Sequence, residues 1–260
     1  MSCVLGIIAW IDEEEFRMAR ERNLDFVELD VNERDGEFFK KFPLVKEYSR
    51  KYDMPIGALG RWGTDRITEN GINKGELETE CKLIDAAKEL SCDVYITGCN
   101  FVETLSFYEN CTLAIEYLKK LADYGERAGV KVATYNCRWN NFVHSPKAWE
   151  MIHGQVQNLY IKYDTSHCIY AGGDYLKECR DWAHRFAHVH IKGALLVDGE
   201  RFDDPPAGLD QTDFPSVVAI LYAKGYDGKL SMEPHSEYWQ GELGQKGIDY
   251  TVKYMRQLLL

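Results

Sequence analysis

Three short segments, far apart in the chain, each place a carboxylate or an imidazole at the end of an apolar stretch. They are Tyr163–His167, His188–Lys192 and Ser231–His235. Their candidate ligands are Asp164, His190 and Glu233. Carboxylate oxygens and imidazole nitrogens together suit a divalent metal ion, and this set does not distinguish Mn²⁺, Mg²⁺, Zn²⁺ and Co²⁺. The pattern predicts a metal-dependent enzyme in which separate strands bring the three ligands together.

Each of these residues also has an ordinary structural interpretation. Asp164 precedes Thr and Ser and could cap the following turn, and His190 could be a hydrogen-bonded core histidine. Glu233 could be a solvated loop carboxylate, although a Glu buried without a partner would be costly. Alternation along a strand places His188 and Lys192 on the same face as His190. We therefore expect Lys192 just beyond the metal and His188 one layer below it.

The elements that must position these residues alternate between strands and helices. The predicted strands are Val4–Ala9, Asp25–Leu29, Ile56–Leu59, Val94–Thr97, Val130–Tyr135, Leu159–Tyr163, Ala187–Ile191 and Lys229–Met232. The predicted helices are Glu13–Arg22, Glu37–Tyr52, Glu76–Leu90, Thr104–Ala128, Pro146–Ile152, Asp174–Trp182, Pro215–Lys224 and Gly247–Leu259. Such alternation predicts one α/β domain over residues 1–260, a (β/α)₈ TIM barrel. An open doubly wound sheet is the alternative, but no Gly-rich fingerprint follows the first strand.

Composition and charge restrict the class of protein. The chain has 260 residues, of which 45% are hydrophobic and 28% charged, as in an ordinary globular protein. Its 42 acidic and 31 basic residues give a net charge of −11. A surface of this sign repels phosphate backbones, so nucleic acid is not an expected partner.

Cysteine usage and the first residues bear on location. The 8 cysteines form no CxxC pair and no regular spacing, which favours reduced thiols over a disulfide framework. The opening residues lack a basic region before their apolar run, and Asp12–Glu15 follows at once. No apolar stretch approaches membrane-spanning length. We expect a cytoplasmic protein that does not associate with membranes.

Six segments, in order and at the right spacing, resemble the sugar phosphate isomerase/epimerase superfamily, the xylose isomerase-like barrels that also include endonuclease IV. The segments are Phe26–Leu29, Tyr163–His167, Ala187–Lys192, Ala207–Phe214, Gly225–Gly228 and Ser231–His235. The resemblance implies a divalent ion held by Glu, Asp, His and Glu from strands five to eight. Asp164, His190 and Glu233 match the last three positions, whereas Tyr135 stands where the first Glu is expected.

The same resemblance implies roles for further residues. Glu233 would be the leading catalytic base, and His167, Glu28 or Lys192 would supply the other proton. Glu28, Tyr135, Trp10 and Arg201 are the candidate substrate-binding residues. Glu28 could instead pair with Lys162 inside the barrel, and ordinary packing accounts equally well for Trp10.

The expected activity is isomerisation or epimerisation of a sugar or keto-sugar through an enediolate-like intermediate. Elimination on a sugar derivative is the alternative, because Tyr135 removes one of the two carboxylates that such epimerases use. A catalytically degenerate barrel is a further alternative, and an apurinic-site endonuclease is disfavoured by the acidic charge. The partner is expected to be a small sugar, and the default assembly is a homo-oligomer.

Overall fold

The computed structural model describes residues 3–32 and 36–260, and a closed barrel of eight parallel strands forms its centre. In chain order the barrel strands are β1 Val4–Ala9, β2 Phe26–Asp30, β3 Ile56–Gly60, β4 Val94–Thr97, β5 Lys131–Tyr135, β6 Leu159–Asp164, β7 Phe186–Ile191 and β8 Lys229–Met232. Each strand pairs with the next one along the chain, and β8 pairs with β1 to close the ring. The predicted TIM barrel is confirmed, and the open sheet is excluded.

Nine helices lie among the described residues, most of them in the connections between barrel strands. They are α1 Glu13–Glu21, α2 Glu37–Tyr52, α3 Lys74–Glu89, α4 Phe107–Ala128, α5 Pro146–Ile152, α6 Thr165–Tyr170, α7 Tyr175–Trp182, α8 Phe214–Ala223 and α9 Gly241–Arg256. Helix α4 begins three residues later than the sequence predicts because Ser106 and Glu109 form a capping box that fixes its first turn. Helix α9 begins at Gly241, ahead of the predicted Gly247, so the apolar pattern missed its first turns.

The sequence also missed helix α6 and two small hairpins. The hairpin of Ile67–Thr68 and Gly71–Ile72 has strands too short to show alternation. The second hairpin joins Leu195–Val197 to Glu200–Asp203 through Asp198 and Gly199. Those two turn residues have φ of 54° and 84°, the left-handed conformation that two-residue hairpin turns require.

Apolar side chains fill the space between the barrel and the helices, and a smaller apolar cluster lies inside the barrel. The inner cluster is centred on Ala58, Trp62, Ile96, Ala133 and Tyr135. Polar side chains occupy the rest of the interior. Glu28 on β2, Lys162 on β6 and the two histidines of β7 are buried polar residues of these strands.

A bulge between β6 and β7 sets the position of the histidines. Ile161 pairs with Phe186, but the next residue, Lys162, pairs with His188. The extra residue in β7 brings His190 opposite Asp164 at the carboxyl end of the barrel. Bulges often redirect side chains beside active sites, and this one aligns two polar strand ends.

Two further observations concern the chain as a whole. No helix among the described residues is long and apolar enough to cross a membrane. All eight cysteines are free thiols.

Candidate metal centre at the barrel mouth

The three residues that the sequence singles out as ligands lie together at the carboxyl ends of β6, β7 and β8. One donor atom each from Asp164, His190 and Glu233 lies within 4.8 Å of the other two. The strand register brings these three residues together. Asp164 pairs with His190 across β6 and β7, and His190 pairs across β7 and β8 with Ser231, two residues before Glu233. Asp164 and His190 are fully buried, and the Glu233 side chain is 18% exposed.

The two carboxylate oxygens of Asp164 have different surroundings. Oδ1 accepts hydrogen bonds from the Ser166 backbone N–H at 2.9 Å and from the Ser166 hydroxyl at 2.7 Å, which caps α6. Oδ2 is buried and has no hydrogen-bond partner among the described residues. Asp164 therefore caps a helix with one oxygen and presents the other to the site.

Asn136 holds the Asp164 backbone from the neighbouring strand end. Its side-chain Nδ2 donates to the Asp164 carbonyl at 2.8 Å, and its Oδ1 accepts from the Asp164 N–H at 2.9 Å. This role of Asn136 was not predicted from the sequence. The only available signal was its place directly after β5, which does not reveal a contact across to β6.

Glu28 lies at the base of the site and binds both histidines of β7. Its carboxylate accepts from His188 Nε2 at 2.7 Å and from His190 Nε2 at 2.9 Å, and all three side chains are fully buried. Burial alone would raise the pKa of Glu28, but the His190 and His188 rings lower it strongly. Glu28 is thus a buried carboxylate that fixes the orientation of His190. Among the described residues its carboxylate pairs with these histidines, whereas Lys162 lies near Asp164, so the alternative pairing of Glu28 with Lys162 is not observed.

His190 bridges two carboxylates. Nε2 faces Glu28, and Nδ1 lies 2.6 Å from Glu233 Oε2 at the mouth. Burial opposes a charge on this ring, yet Glu28 outweighs it and the pKa of His190 is raised. When Nε2 is protonated toward Glu28, Nδ1 is the nitrogen that can donate a lone pair to a metal.

Two lysine ammonium groups also face the site. Lys192 Nζ lies 3.4 Å from Asp164 Oδ2 and 3.4 Å from Glu233 Oε1. Lys162 Nζ lies 3.9 Å from Asp164 Oδ2. Burial would lower the pKa of Lys192, but Asp164 and Glu233 raise it above its usual range. Lys192 is therefore a buried cation between two candidate metal ligands.

His167 stands on the first turn of α6, facing the same carboxylate. Its Nε2 lies 3.4 Å from Asp164 Oδ2, and the side chain is 19% exposed. Burial lowers the pKa of His167 to about 4, so the ring is neutral near pH 7. A neutral, partly exposed imidazole can donate or accept a hydrogen bond at the mouth.

Tyr135 is fully buried, and its hydroxyl is bonded to loop backbone. The hydroxyl donates to the Trp139 carbonyl at 3.2 Å and accepts from the Gly63 N–H at 3.4 Å. The ring stacks on Trp62 at a centroid distance of 5.9 Å. Burial raises the pKa of Tyr135 to about 12, so the phenol is neutral. Its side chain closes one wall of the mouth and ties together the loops after β3 and β5.

Arg201 lies at the rim, on the second hairpin, within a cluster organised by Asp204. The buried Asp204 side chain binds Arg201, Tyr170 and, at 3.0 Å, His235 Nδ1. The Arg201 guanidinium also lies over the Tyr170 ring at 5.0 Å. The role of Asp204 was not predicted from the sequence; its carboxylate anchors Arg201 beside the loop that carries Glu233.

Trp10 follows β1 and is 68% exposed. It borders a cavity of about 160 Å³ that also contacts α1, α9 and Pro234. The structure thus places Trp10 on the side of the molecule next to the Glu233 loop, with a broad free ring face.

The donor set fits a divalent cation. Asp164, His190 and Glu233 supply oxygen and nitrogen ligands of the kinds that Mn²⁺, Mg²⁺, Zn²⁺ and Co²⁺ accept. Asp164 Oδ2 is a buried acceptor without a hydrogen bond, and a cation would satisfy it. Glu28 behind His190 matches the usual arrangement in which a carboxylate orients a metal-binding histidine.

In (β/α)₈-barrel enzymes the active site lies at the carboxyl ends of the strands, which is where this ligand set is found. The chain belongs to the xylose isomerase-like TIM barrel family, whose model matches residues 16–258. The resemblance stated from the sequence is therefore confirmed. No curated protein sequence matches the chain.

Solved structures with the same fold include several sugar epimerases. D-allulose 3-epimerase from Methylomonas sp. is 17% identical, with a TM-score of 0.79 over 99% of this chain and 98% of that one. The 3-keto-D-glucoside 4-epimerase from E. coli is 18% identical, with a TM-score of 0.77 over 98% of this chain and 99% of that one. A xylose isomerase domain protein from Planctomyces limnophilus is 14% identical, with a TM-score of 0.77 over 99% of this chain and 96% of that one. At these identities the likeness concerns the fold.

Proposed function

We propose that this protein is a metal-dependent isomerase or epimerase that acts on a sugar or keto-sugar. The observation that carries the proposal is the convergence of Asp164, His190 and Glu233, where Asp164 Oδ2 is buried without a hydrogen bond. Membership of the xylose isomerase-like family supports the proposal, as does the fold shared with epimerases of D-allulose and 3-keto-D-glucosides.

Asp164, His190 and Glu233 would hold the divalent ion. When bound, such an ion polarises a carbonyl group of the substrate and acidifies the neighbouring C–H bond. Glu233 is the expected base, since its partly exposed carboxylate lies at the mouth, and it would take the proton from that carbon. His167 or Lys192 would deliver a proton to the other reacting atom. Arg201, Tyr135, Trp10 and Glu28 remain the proposed substrate-binding or supporting residues.

The test combines a sugar panel with one substitution. Purified protein with Mn²⁺ is incubated with ketoses, aldoses and keto-glycosides in D₂O, and carbon-bound deuterium is followed by NMR. Glu233→Gln should lower exchange by about 10²–10⁴-fold while the protein stays folded, because it removes the base. Glu242→Gln is the control, as that side chain is exposed on α9. Full exchange activity in Glu233→Gln, or no exchange by the wild type on any sugar, would overturn the proposal.

Elimination is the second candidate function, and Tyr135 is the observation that favours it. β5 carries no Asp or Glu, and the Tyr135 hydroxyl at its end is bonded to Gly63 and Trp139, so this strand offers no base for proton transfer on a second substrate face. An elimination needs one base and one acid, which Glu233 and His167 or Lys192 could supply. Loss of water or of a glycosyl group in the same NMR assay, without an epimeric product, would identify this reaction.

We further propose that the protein works in the cytoplasm, does not bind nucleic acid and forms a homo-oligomer. Its eight free thiols suit a reducing compartment. The net charge of −11 disfavours a phosphate backbone as ligand. Light scattering of the purified protein would report its assembly.

A further inference from the structure

The two lysines at the mouth raise a question about charge. Lys192 Nζ contacts Asp164 Oδ2 and Glu233 Oε1, each at 3.4 Å, and the residue is only 4% exposed. These two carboxylates are also members of the candidate metal-ligand set. The ammonium group and a divalent ion therefore compete for the same pair of side chains.

The lysine satisfies these carboxylates only loosely. Charge-assisted N–H···O bonds are usually about 2.7–2.9 Å long, shorter than both Lys192 contacts. Asp164 Oδ2 has no hydrogen bond despite the nearby ammonium. A divalent ion would lie roughly 2.0–2.2 Å from its carboxylate ligands and would satisfy that oxygen directly.

Charge balance points in the same direction. Glu28, Asp164 and Glu233 are three carboxylates, and Lys162 and Lys192 are two ammonium groups. A metal ion bound at His190 Nδ1 requires that ring to be neutral, and with neutral histidines this set carries one net negative charge before the ion is counted. A divalent ion makes the set net positive, and a buried excess charge is costly in a medium of low polarity. If the same ion binds and the Lys192 ammonium group has moved away, the remaining set is neutral.

We infer that Lys192 is a built-in counter-cation for the Asp164–Glu233 pair, and that it must withdraw from this pair when a divalent ion binds. Lys192 thereby weakens metal binding and stabilises the metal-free protein. The inference rests on the proposed metal centre. The inference concerns Lys192 and not Lys162, whose Nζ lies farther from Asp164 Oδ2, at 3.9 Å.

The test measures binding of Mn²⁺ alone by calorimetry and thermal stability in EDTA. Lys192→Met and Lys192→Gln should each bind Mn²⁺ at least about tenfold more tightly than the wild type, because the repulsive charge is gone. Both should melt at a lower temperature than the wild type in EDTA, since two buried carboxylates then face each other. The control is Lys229→Met, whose lysine pairs with Asp93 and lies at the start of β8, away from the mouth. It should leave the affinity unchanged.

The outcomes separate this inference from the metal centre itself. Equal or weaker Mn²⁺ binding in both Lys192 variants overturns the role of the lysine alone. No Mn²⁺ binding by any variant overturns both. If neither variant folds, wild-type crystals grown with Mn²⁺ decide: Nζ more than about 4 Å from one of the two carboxylates supports the inference, and Nζ in contact with both overturns it.

Discussion

Two of the clusters of buried charge in the described part of the chain differ in how fully their atoms are hydrogen-bonded. Behind β4, Glu80 binds Arg66 and also accepts from the hydroxyls of Tyr95, Thr97 and Tyr117. At the barrel mouth, Asp164 Oδ2 has no hydrogen bond. Nearby, His188 Nδ1 and the Ser231 hydroxyl are also buried without partners among the described residues.

The difference distinguishes a structural network from a candidate site. Buried charges that only hold a fold are stable when every acceptor is satisfied. The Glu80 cluster meets that condition and ties the loop after β3 to α3 and α4. The mouth cluster leaves acceptors open at the end of the barrel where TIM-barrel enzymes place their ligands. Unmet bonding capacity at that place is the physical sign of a binding site.

The largest effect is expected from breaking the satisfied cluster. Arg66→Met leaves the fully buried Glu80 without its counter-ion and should destabilise the protein by about 3–5 kcal/mol. Chemical denaturation measures this change, and calorimetry should show unchanged Mn²⁺ affinity in the folded protein. Lys119→Met, in an exposed pair with Asp123, should cost less than about 1 kcal/mol. A mild effect of Arg66→Met, no larger than that of Lys119→Met, would contradict the structural role.

A smaller effect on stability but a clear one on metal binding is expected at Glu28. Glu28→Gln offers one acceptor where two histidine rings donate, so His190 loses its fixed orientation. Mn²⁺ affinity should fall by about 10–100-fold, the usual effect of losing a carboxylate behind a metal-binding histidine. Glu109→Gln, which alters only the cap of α4, is the matched control. Unchanged affinity in Glu28→Gln would show that Glu28 does not orient the ligand.

The smallest effect is expected at Tyr135. Tyr135→Phe removes two hydroxyl contacts to loop backbone and should lower the free energy of unfolding by about 1 kcal/mol. Mn²⁺ affinity should not change, because the neutral phenol points toward the loops. A fall in affinity comparable to that of Glu28→Gln would instead identify Tyr135 as a metal ligand.

The sequence predicted the barrel well because its strands are strongly apolar and its helices regular. All eight barrel strands lie within two residues of their predicted bounds, including Val4–Ala9 and Val94–Thr97 without change. The hairpins were not predicted because their strands, of two to four residues, are too short to show a clear alternation. Helix α6 was not predicted because its N-cap residue, Asp164, was interpreted mainly as a metal ligand.

The candidate site was predictable only in part. Strand-end position and residue type brought Asp164, His190 and Glu233 to attention, since parallel strands share one carboxyl end. Contacts between strands distant in the chain were not visible, among them Glu28 with His188 and Asn136 with Asp164. They depend on barrel register and on the bulge in β7, which alternation along a single strand cannot reveal.

The double use of Asp164 restricts how this site can evolve. One oxygen begins the helix that carries His167, and the other faces the candidate cation position. A glutamate could still reach an ion with its longer side chain, but it would surrender the short-range bond to Ser166. A substitution at this position would therefore affect the placement of His167 as well as the candidate metal ligand. Of the two acidic residues, only aspartate keeps both the helix cap and the ligand oxygen in place.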